Sequence, residues 1–585
     1  MRYPKLPTLD TERRMVDVFR GYNHNLRVND GEFSTMQNLT SDYYPVLATR
    51  GKRGKLTETE NPSGMVACDT LCYTDGADIV INGYHVDLGL STDEEDMPKK
   101  LIAMGGYIII LPDKKWINTL DFTDFGNIEA TFESYSDISF ELCDINGGAY
   151  ASPVISATEP EDPSNMDLWI DTSSKPHVLK QWSETSSMWV SIPTTYVKIA
   201  AVGIGLNFEQ YDGVDISGIL DESLVDLNGS HVIWEKGDNH IVVVGMIDYA
   251  ITQTEDDGKI TVARKMPTLD YVCEAGNRLW GCHYGMAANG DVVNELYACK
   301  LGDFRNWETF MGLSTDSWRG SVGSDGRFTG AVALGGYPIF FKESCLHKIY
   351  ISPSGAHQVQ DTVCRGVARG SENSLAIVNE RLYYKSRTGV CVYDGSLPEE
   401  VSYALGDVKY SNAVGGSIGN KYYISMEDGA GSHHLFVYDT EKGLWHREDD
   451  LRVEEFCECR GDLYAIESER KAIISMLGTG ESYEGDLDWV AETGDLLLDN
   501  PDAKYIHRLL LRLSTARNTT IRIWAEYDKF PEWEKIGEYH GGTLGSVTLP
   551  VRPRRCDHLR LRIEGRGDVR LYSMSKYIIE GSDKP

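Results

Sequence analysis

Several things are scarce or missing in this 585-residue chain, and each absence removes a class of protein. No apolar run approaches the roughly 18 residues that a membrane-spanning helix needs. No 3.6-residue apolar period persists beyond about ten residues, which leaves little room for helices. The twelve cysteines are scattered without a Cys-x-x-Cys pair, Cys68/Cys72 and Cys457/Cys459 being the only close ones. They read as reduced, small core hydrophobes, and no set of zinc ligands can be assembled from them. The amino end, Met1-Arg2-Tyr3-Pro4-Lys5-Leu6-Pro7, lacks the apolar stretch of a signal peptide, so synthesis in the cytoplasm is expected and Asn38, Asn228 and Asn518 carry no glycosylation meaning.

Catalytic motifs are equally sparse. There is no His-Glu-x-x-His and no phosphate-cradling Gly-rich loop with Lys and Ser/Thr. Gly-x-Ser-x-Gly occurs once, at Gly415-Gly416-Ser417-Ile418-Gly419, but it runs into the strand-like Asn420–Ile424 where a nucleophile elbow needs a helix. His433 and His434 are adjacent, so strand alternation sends their rings to opposite faces. The Ser-x-Asp-x-Gly-x-x-Trp box of sialidase-type propellers is missing: Ser324-Asp325-Gly326 lacks the closing tryptophan, and Ser314-Thr315-Asp316-Ser317-Trp318 lacks the glycine. Carboxylates number 89, but their pairing in space is invisible in a sequence. The expectation is a chain with no catalytic residue, no cofactor and no metal, and not an enzyme.

Positive charge is the last deficit. Formal net charge is −32, and it is unevenly spread: residues 501–585 hold 16 Lys/Arg against 11 Asp/Glu, the remainder 41 against 78. So acidic a body does not grip nucleic-acid phosphates, which need cations to displace their counterions. It suits plain solubility, or a surface that DNA slides past without specific binding.

What is present is a repeat. Apolar residues run into a Gly/Asn/Asp turn and then an aromatic-rich strand at Asn277-Arg278-Leu279-Trp280, Gly335-Gly336-Tyr337-Pro338-Ile339-Phe340, Asn379-Glu380-Arg381-Leu382-Tyr383, Gly419-Asn420-Lys421-Tyr422-Tyr423 and Gly461-Asp462-Leu463-Tyr464. The landmarks Leu279, Ile339, Leu382, Tyr422 and Leu463 are 60, 43, 40 and 41 residues apart. Such a period, with several short strands per unit, is that of β-propeller blades. Weaker versions occur at Gly105-Gly106-Tyr107 and at Gly237-Asp238-Asn239-His240 before Ile241–Val244. The expected fold is all-β: a propeller of six to eight blades, a small inserted β module and a C-terminal antiparallel β-sandwich. Its segments are 1–55 (arm and entry strand), 56–142 (first blades), 143–197 (insert), 198–479 (remaining blades) and 480–585 (sandwich). In the last, Leu509, Leu511 and Leu513 share one face, and Arg508 and Arg512 the other.

The insert follows a Pro/Glu/Asp linker and carries Trp169, Trp182 and Trp189 on three short strands. These three indoles are the candidates for glycan contact, because an exposed indole stacks on the apolar face of a sugar. The alternative is that they form the core of a module too small to have any other.

Two segments carry a resemblance. Asp167-Leu168-Trp169-Ile170-Asp171-Thr172-Ser173, Lys175-Pro176, Leu179-Lys180-Gln181-Trp182 and Trp189-Val190 resemble a small module of tailed-bacteriophage tail and fibre proteins. Phe19-Arg20-Gly21-Tyr22-Asn23, Asn38-Leu39, Tyr44-Pro45-Val46-Leu47 and Arg50-Gly51 resemble the opening of phage tail-nozzle and stabilisation proteins. Lys504-Tyr505-Ile506, Pro553–His558 and Glu580–Asp583 look like a carboxy-terminal sandwich of phage structural proteins. The resemblance implies a β-propeller virion protein forming a nozzle- or hub-like ring at the DNA exit channel. Its partners would be further copies of itself, other tail or portal-adaptor proteins and, through the insert, a host surface glycan. A receptor- or glycan-binding tail protein acting through the insert is the alternative.

Overall fold

A computed structural model of the chain describes residues 11–254, 258–287, 290–498, 504–517, 519–528, 530–542, 544–550 and 554–580. Met1–Pro7, Asn518, Pro553 and Gly581–Asp583, which enter the sequence reading, lie outside them. The fold is all-β. Helical structure among the described residues is confined to short 3-10 turns, so no helix is long and apolar enough to cross a membrane.

One unit recurs: a four-stranded sheet in which each strand lies beside its predecessor. Such sheets run from Pro62–Cys68 to Tyr84–Asp87, Lys100–Met104 to Asp121–Asn127, Tyr271–Glu274 to Trp318–Ser321, Phe328–Leu334 to Gln358–Val363, Ala376–Val378 to Glu399–Glu400, and Tyr410–Ile418 to Leu444–Arg447. A seventh, Val453–Cys459 to Ala472–Ser475, has three strands of its own and takes Gly54–Glu58 as the fourth, with Ala472 opposite Glu58. The repeated phrase is the turn between strands one and two of these sheets. Gly335 and Gly336, Asn379 and Glu380, and Arg460 and Gly461 all have φ between +48° and +79°. Two consecutive left-handed residues are what a two-residue hairpin requires, which is why Gly and Asn mark the spot.

The chain divides into two compact units, one of residues 1–101, 340–347 and 361–585, the other of 102–339 and 348–360. In the first, sheets pack face to face in sequence. Tyr383 and Val390 meet Tyr422 and Ile424; Tyr423, Leu435 and Val437 meet Leu463, Ala465 and Ile474; Ile466 and Ile473 meet Met65, Tyr73 and Val80. The first meander in the chain, Pro62–Cys68 to Tyr84–Asp87, thus packs on the one that Gly54–Glu58 completes. The outer strand Leu444–Arg447 pairs with Gly21–Tyr22, which leads through Glu32–Gln37 and Asp488–Thr493 into Leu559–Arg566, Thr520–Tyr527 and Phe530–His540, making one ten-stranded sheet. Facing its far end across a shared core is a sheet of Leu39–Thr40, Leu47–Thr49, Val569–Glu580, Lys504–Thr515 and Gly545–Pro550, with Thr11–Val16 on Val569–Glu580. Leu509, Leu511 and Leu513 are buried and Arg508 and Arg512 exposed, as the alternation requires.

In the second unit, Ile102, Met104 and Ile109 pack on Val272, Leu279 and Cys299. Two neighbouring meanders are therefore separated in sequence by an excursion, Ala130–Arg264. Its sheets do not follow chain order: Ala130–Glu133 pairs with Thr261–Arg264, and His240–Val244 lies between Glu235–Gly237 and Tyr196–Ala200. The phrase at Gly237–His240 marks a hairpin here too, but one inside this interleaved pair of sheets. The tryptophan segment forms a separate four-stranded sheet in which Val154–Ser156 runs parallel to Leu168–Asp171, a strand beyond the three expected.

Candidate functional site

The tryptophan sheet has two unlike faces. Leu168, Ile170 and Leu179 point one way and are buried in the core of the excursion with Phe140, Val197 and Ile199. Trp169, Trp182 and Trp189 share the opposite face, Trp182 directly across from Trp189. Their rings meet edge to face: Trp169 and Trp182 each lie 5.5 Å from Trp189, at 66° and 64°. Trp169 is buried, and its Nε1 donates to the Ser156 carbonyl at 3.0 Å, tying down the parallel strand. Trp182 and Trp189 are half-buried. Lys180 caps the row, its ammonium 4.6 Å from the Trp169 ring and 2.7 Å from Asp171. The hydrogen bond from Lys180, then that from Ser173, hold the Asp171 carboxyl down at about 2. The structure brings the three indoles together, and core duty falls on the aliphatic face. Strand alternation in Leu168-Trp169-Ile170 carried that signal, since one parity had to be aliphatic and the other aromatic.

A second concentration of polar groups lies in the other unit, where the amino-terminal segment is strapped down. Arg50 makes a two-pronged contact with Glu484 at 2.7 and 2.8 Å, and its Nε donates to Asn38 Oδ1 at 2.9 Å. Asn38 in turn donates to the Asp488 carbonyl at 2.7 Å. Arg53, with its side chain 2% exposed, donates to Asp449 at 2.6 Å and Glu448 at 2.7 Å. Burial would raise the Asp449 and Glu484 carboxyls, but the Arg53 and Arg50 guanidiniums outweigh it and hold both low.

Two clefts flank the strap. One of about 600 Å³ is lined by Thr40, Asp42, Tyr43, Lys421, Tyr423 and Arg570 among others; Lys421 is held there by Asp42 at 2.5 Å and Thr40 at 3.0 Å. The other, about 390 Å³, is lined in part by Arg53, Asp449, Glu467, Arg470, Tyr483 and Glu484. In it burial raises the Glu467 carboxyl, which accepts a hydrogen bond from the Tyr483 hydroxyl. A carboxyl raised beside two held low is a separation that acid–base chemistry uses, and ion-pair networks produce it as well. Sequence reasoning missed this cluster, although Arg50-Gly51-Lys52-Arg53 is a dense run of cations for so acidic a chain.

Ser417 sits in Tyr410–Ile418 opposite Tyr422, one residue pair from a hairpin turn. None of the twelve cysteines is in a disulfide, and nine are buried. Among the described residues no three His, Cys, Asp or Glu side chains are placed to hold a metal ion.

No protein family and no curated protein matches the chain. Among solved structures it is similar to an exo-β-1,3-galactanase from Phanerochaete chrysosporium with galactose, at 7% identity and a TM-score of 0.22, covering 52% of this chain and 95% of that one. It is also similar to an engineered family 43 glycoside hydrolase with endo-xylanase and exo-arabinofuranosidase activity, at 10% identity and a TM-score of 0.20, covering 53% and 97%. A third is a family 43 arabinoxylan arabinofuranohydrolase from Bacillus subtilis in complex with cellotetraose, at 7% identity and a TM-score of 0.16, covering 53% and 95%. These three neighbours correct one expectation: the sequence predicts a chain that is not an enzyme, and the three are glycoside hydrolases, so that exclusion is withdrawn. Motifs could not support it, because hydrolytic carboxylates converge from separate strands and leave no local pattern. Likeness at these scores assigns no activity to this chain.

Proposed function

We propose that the protein is a structural component of a bacteriophage tail, a nozzle- or hub-like ring at the DNA exit channel. In this reading the seven meanders traced among the described residues are blades of a propeller, within the six to eight expected from the repeat, and the two facing sheets of the carboxy-terminal segment are its sandwich. The observation that supports it most is the work done by the amino-terminal phrase on which the resemblance rests. Gly21 and Tyr22 extend the sheet of Leu444–Arg447, Asn38 and Arg50 anchor the strap, and Gly54–Glu58 completes the last meander. Residues 19–58 are thus an architectural fastening, as expected of a shell component under load. Purified virions decide the matter: antibody against the chain should label the tail tip, and a particle proteome lacking the chain would overturn the reading.

A second reading, glycan binding through the insert, is supported by the indole row lying on the sheet face turned away from the aliphatic core. Trp182→Ala and Trp189→Ala should each lower binding to host cell-wall glycan on an array by about tenfold or more, in keeping with the loss of a stacked aromatic. Trp169 is the wrong residue to test, since its Nε1 holds the parallel strand. Array binding unchanged in both variants would dismiss this role.

A further inference from the structure

The two facing sheets of the carboxy-terminal segment treat their arginines differently. On the ten-stranded sheet Arg522, Arg560 and Arg562 each have a carboxylate: Arg560 with Glu492 at 2.5 Å, Arg562 with Glu564 at 3.1 Å, Arg522 with Glu538 at 3.9 Å. On the outer face of the opposite sheet, Arg13, Arg508, Arg512 and Arg570 have no ion-pair partner among the described residues. The strand positions between them are filled by Ser, Thr, Leu510, Met15 and tyrosine, with no acid. Tyrosines hold three of the four guanidiniums instead: Tyr577 lies under Arg508 at 4.6 Å and beside Arg13 at 5.7 Å, where Arg13 also donates to the Ser575 hydroxyl, and Tyr43 lies under Arg570 at 4.0 Å. A guanidinium stacked on a ring keeps all its N–H donors at the edge, directed outward and ready for a carboxylate.

In a chain of net charge −32, strand positions that hold Arg13, Arg508 and Arg512 with no acid between them are a conspicuous asymmetry; Arg570, at the edge of this face, also lines the cleft that contains Asp42. We propose that this face is the surface by which one copy of the protein docks on the acidic surface of a second copy. Residues before 501 carry 78 acidic against 41 basic side chains, so a neighbouring copy presents abundant carboxylate. Contact between unlike surfaces of identical chains is head-to-tail, the geometry that closes rings, and charge complementarity fixes its register and speeds encounter. Nucleic acid is the poorer fit, because four cations face a phosphate polymer from a body that repels it. The inference extends the tail-ring reading by naming one of its surfaces, and rests on that reading only for the closure into a ring.

The test is sedimentation velocity of the full-length chain, wild type against Arg508→Glu/Arg512→Glu. Both arginines are exposed, so the variant should keep the wild-type circular dichroism and melting temperature. Wild type should sediment as an oligomer at low salt and fall apart near 1 M salt, where the screening length is about 3 Å. The variant should sediment as a single chain at both. Oligomers of unchanged size in the variant, or a wild type that is monomeric at low salt, would overturn the proposal. So would labelled duplex DNA that binds wild type and not the variant, which would make the face a nucleic-acid surface. If virions contain the chain while the variant still assembles, this proposal fails and the tail reading stands; if virions lack the chain while the variant falls apart, the reverse holds.

Discussion

Gly21 and His446 touch the same strand and show how narrowly single positions are specified. Gly21 has φ +81°, and a Cβ there would sit 2.3 Å from the Trp445 carbonyl oxygen. Gly21→Ala therefore meets a left-handed backbone and a backbone clash together, and should cost at least about 2 kcal/mol. Gly51→Ala is the control: it has open space and no positive φ, and should stay within about 0.5 kcal/mol. Urea midpoints followed by tryptophan fluorescence would separate the two. His446 is buried with both ring nitrogens unpartnered, and burial, then the Lys421 ammonium, push it down to about 3 against the opposing pull of Asp439 and Asp42; Lys442 adds to the depression. Its folded pKa lies below its ordinary value of 6.5, so the folded state binds fewer protons than the unfolded state between those limits. Stability is then full above pH 6.5 and declines as pH falls toward 3, by up to about 1.4 kcal/mol per pH unit from this residue. His446→Phe should flatten the decline in urea midpoint between pH 6.5 and 4.5. Equal slopes for variant and wild type would show that the imidazole does not carry the effect.

At the scale of elements, the amino-terminal strap separates buried from exposed ion pairs. Arg53→Met leaves Glu448 and Asp449 facing each other in a buried site with Arg50 alone, and should cost about 3–5 kcal/mol. Lys52→Ala removes an exposed pair with Asp486 and should cost under about 1 kcal/mol. Comparable losses in the two variants' urea midpoints would mean the strap is no more than surface charge. Elements were also where the sequence spoke most clearly. The hairpin phrase marks strand starts at Leu279, Tyr337, Arg381, Lys421 and Asp462 because the left-handed positions just before them, at Asn277, Gly336, Asn379, Gly419 and Gly461, favour Gly and Asn. Phe530–His540 is not legible as a strand, since Pro531 and its many charges argue against one; it is an edge strand, paired among the described residues with Thr520–Tyr527 alone, where both are tolerated. The interleaved sheets of Ala130–Arg264 were illegible for another reason. Alternation shows that a strand has a buried side, not which distant strand it joins, and Phe132 meets Val262 across 130 residues. The indole row was half legible: its residues stood out, and its face did not.

For the whole molecule, the lesson concerns the carboxy-terminal hundred residues, which the sequence marks off as a domain of their own because the blade phrase stops there. Composition shifts at residue 480, but hydrogen bonding does not. Asp488–Thr493 pairs with Glu32–Gln37 on one side and Leu559–Arg566 on the other, Glu484 binds Arg50, and Thr11–Val16 pairs with Val569–Glu580. One core contains Phe33, Met36, Tyr422 and Trp445 together with Trp489, Leu511 and Ile563. A chain ending at Glu481 would lose the partners of Thr11–Val16, Glu32–Gln37 and Leu47–Thr49 and expose that core, and its complement, 482–585, would lack the strands that pair at Ile578 and Ala491. Neither fragment should fold alone: each should give a collapsed or aggregated product without the cooperative thermal transition of the intact protein. Co-expression should recover a soluble complex, because the missing strands can be supplied from a separate chain as readily as from the same one. A cooperative melting transition in the isolated carboxy-terminal fragment would show that the shared sheet joins two independent domains.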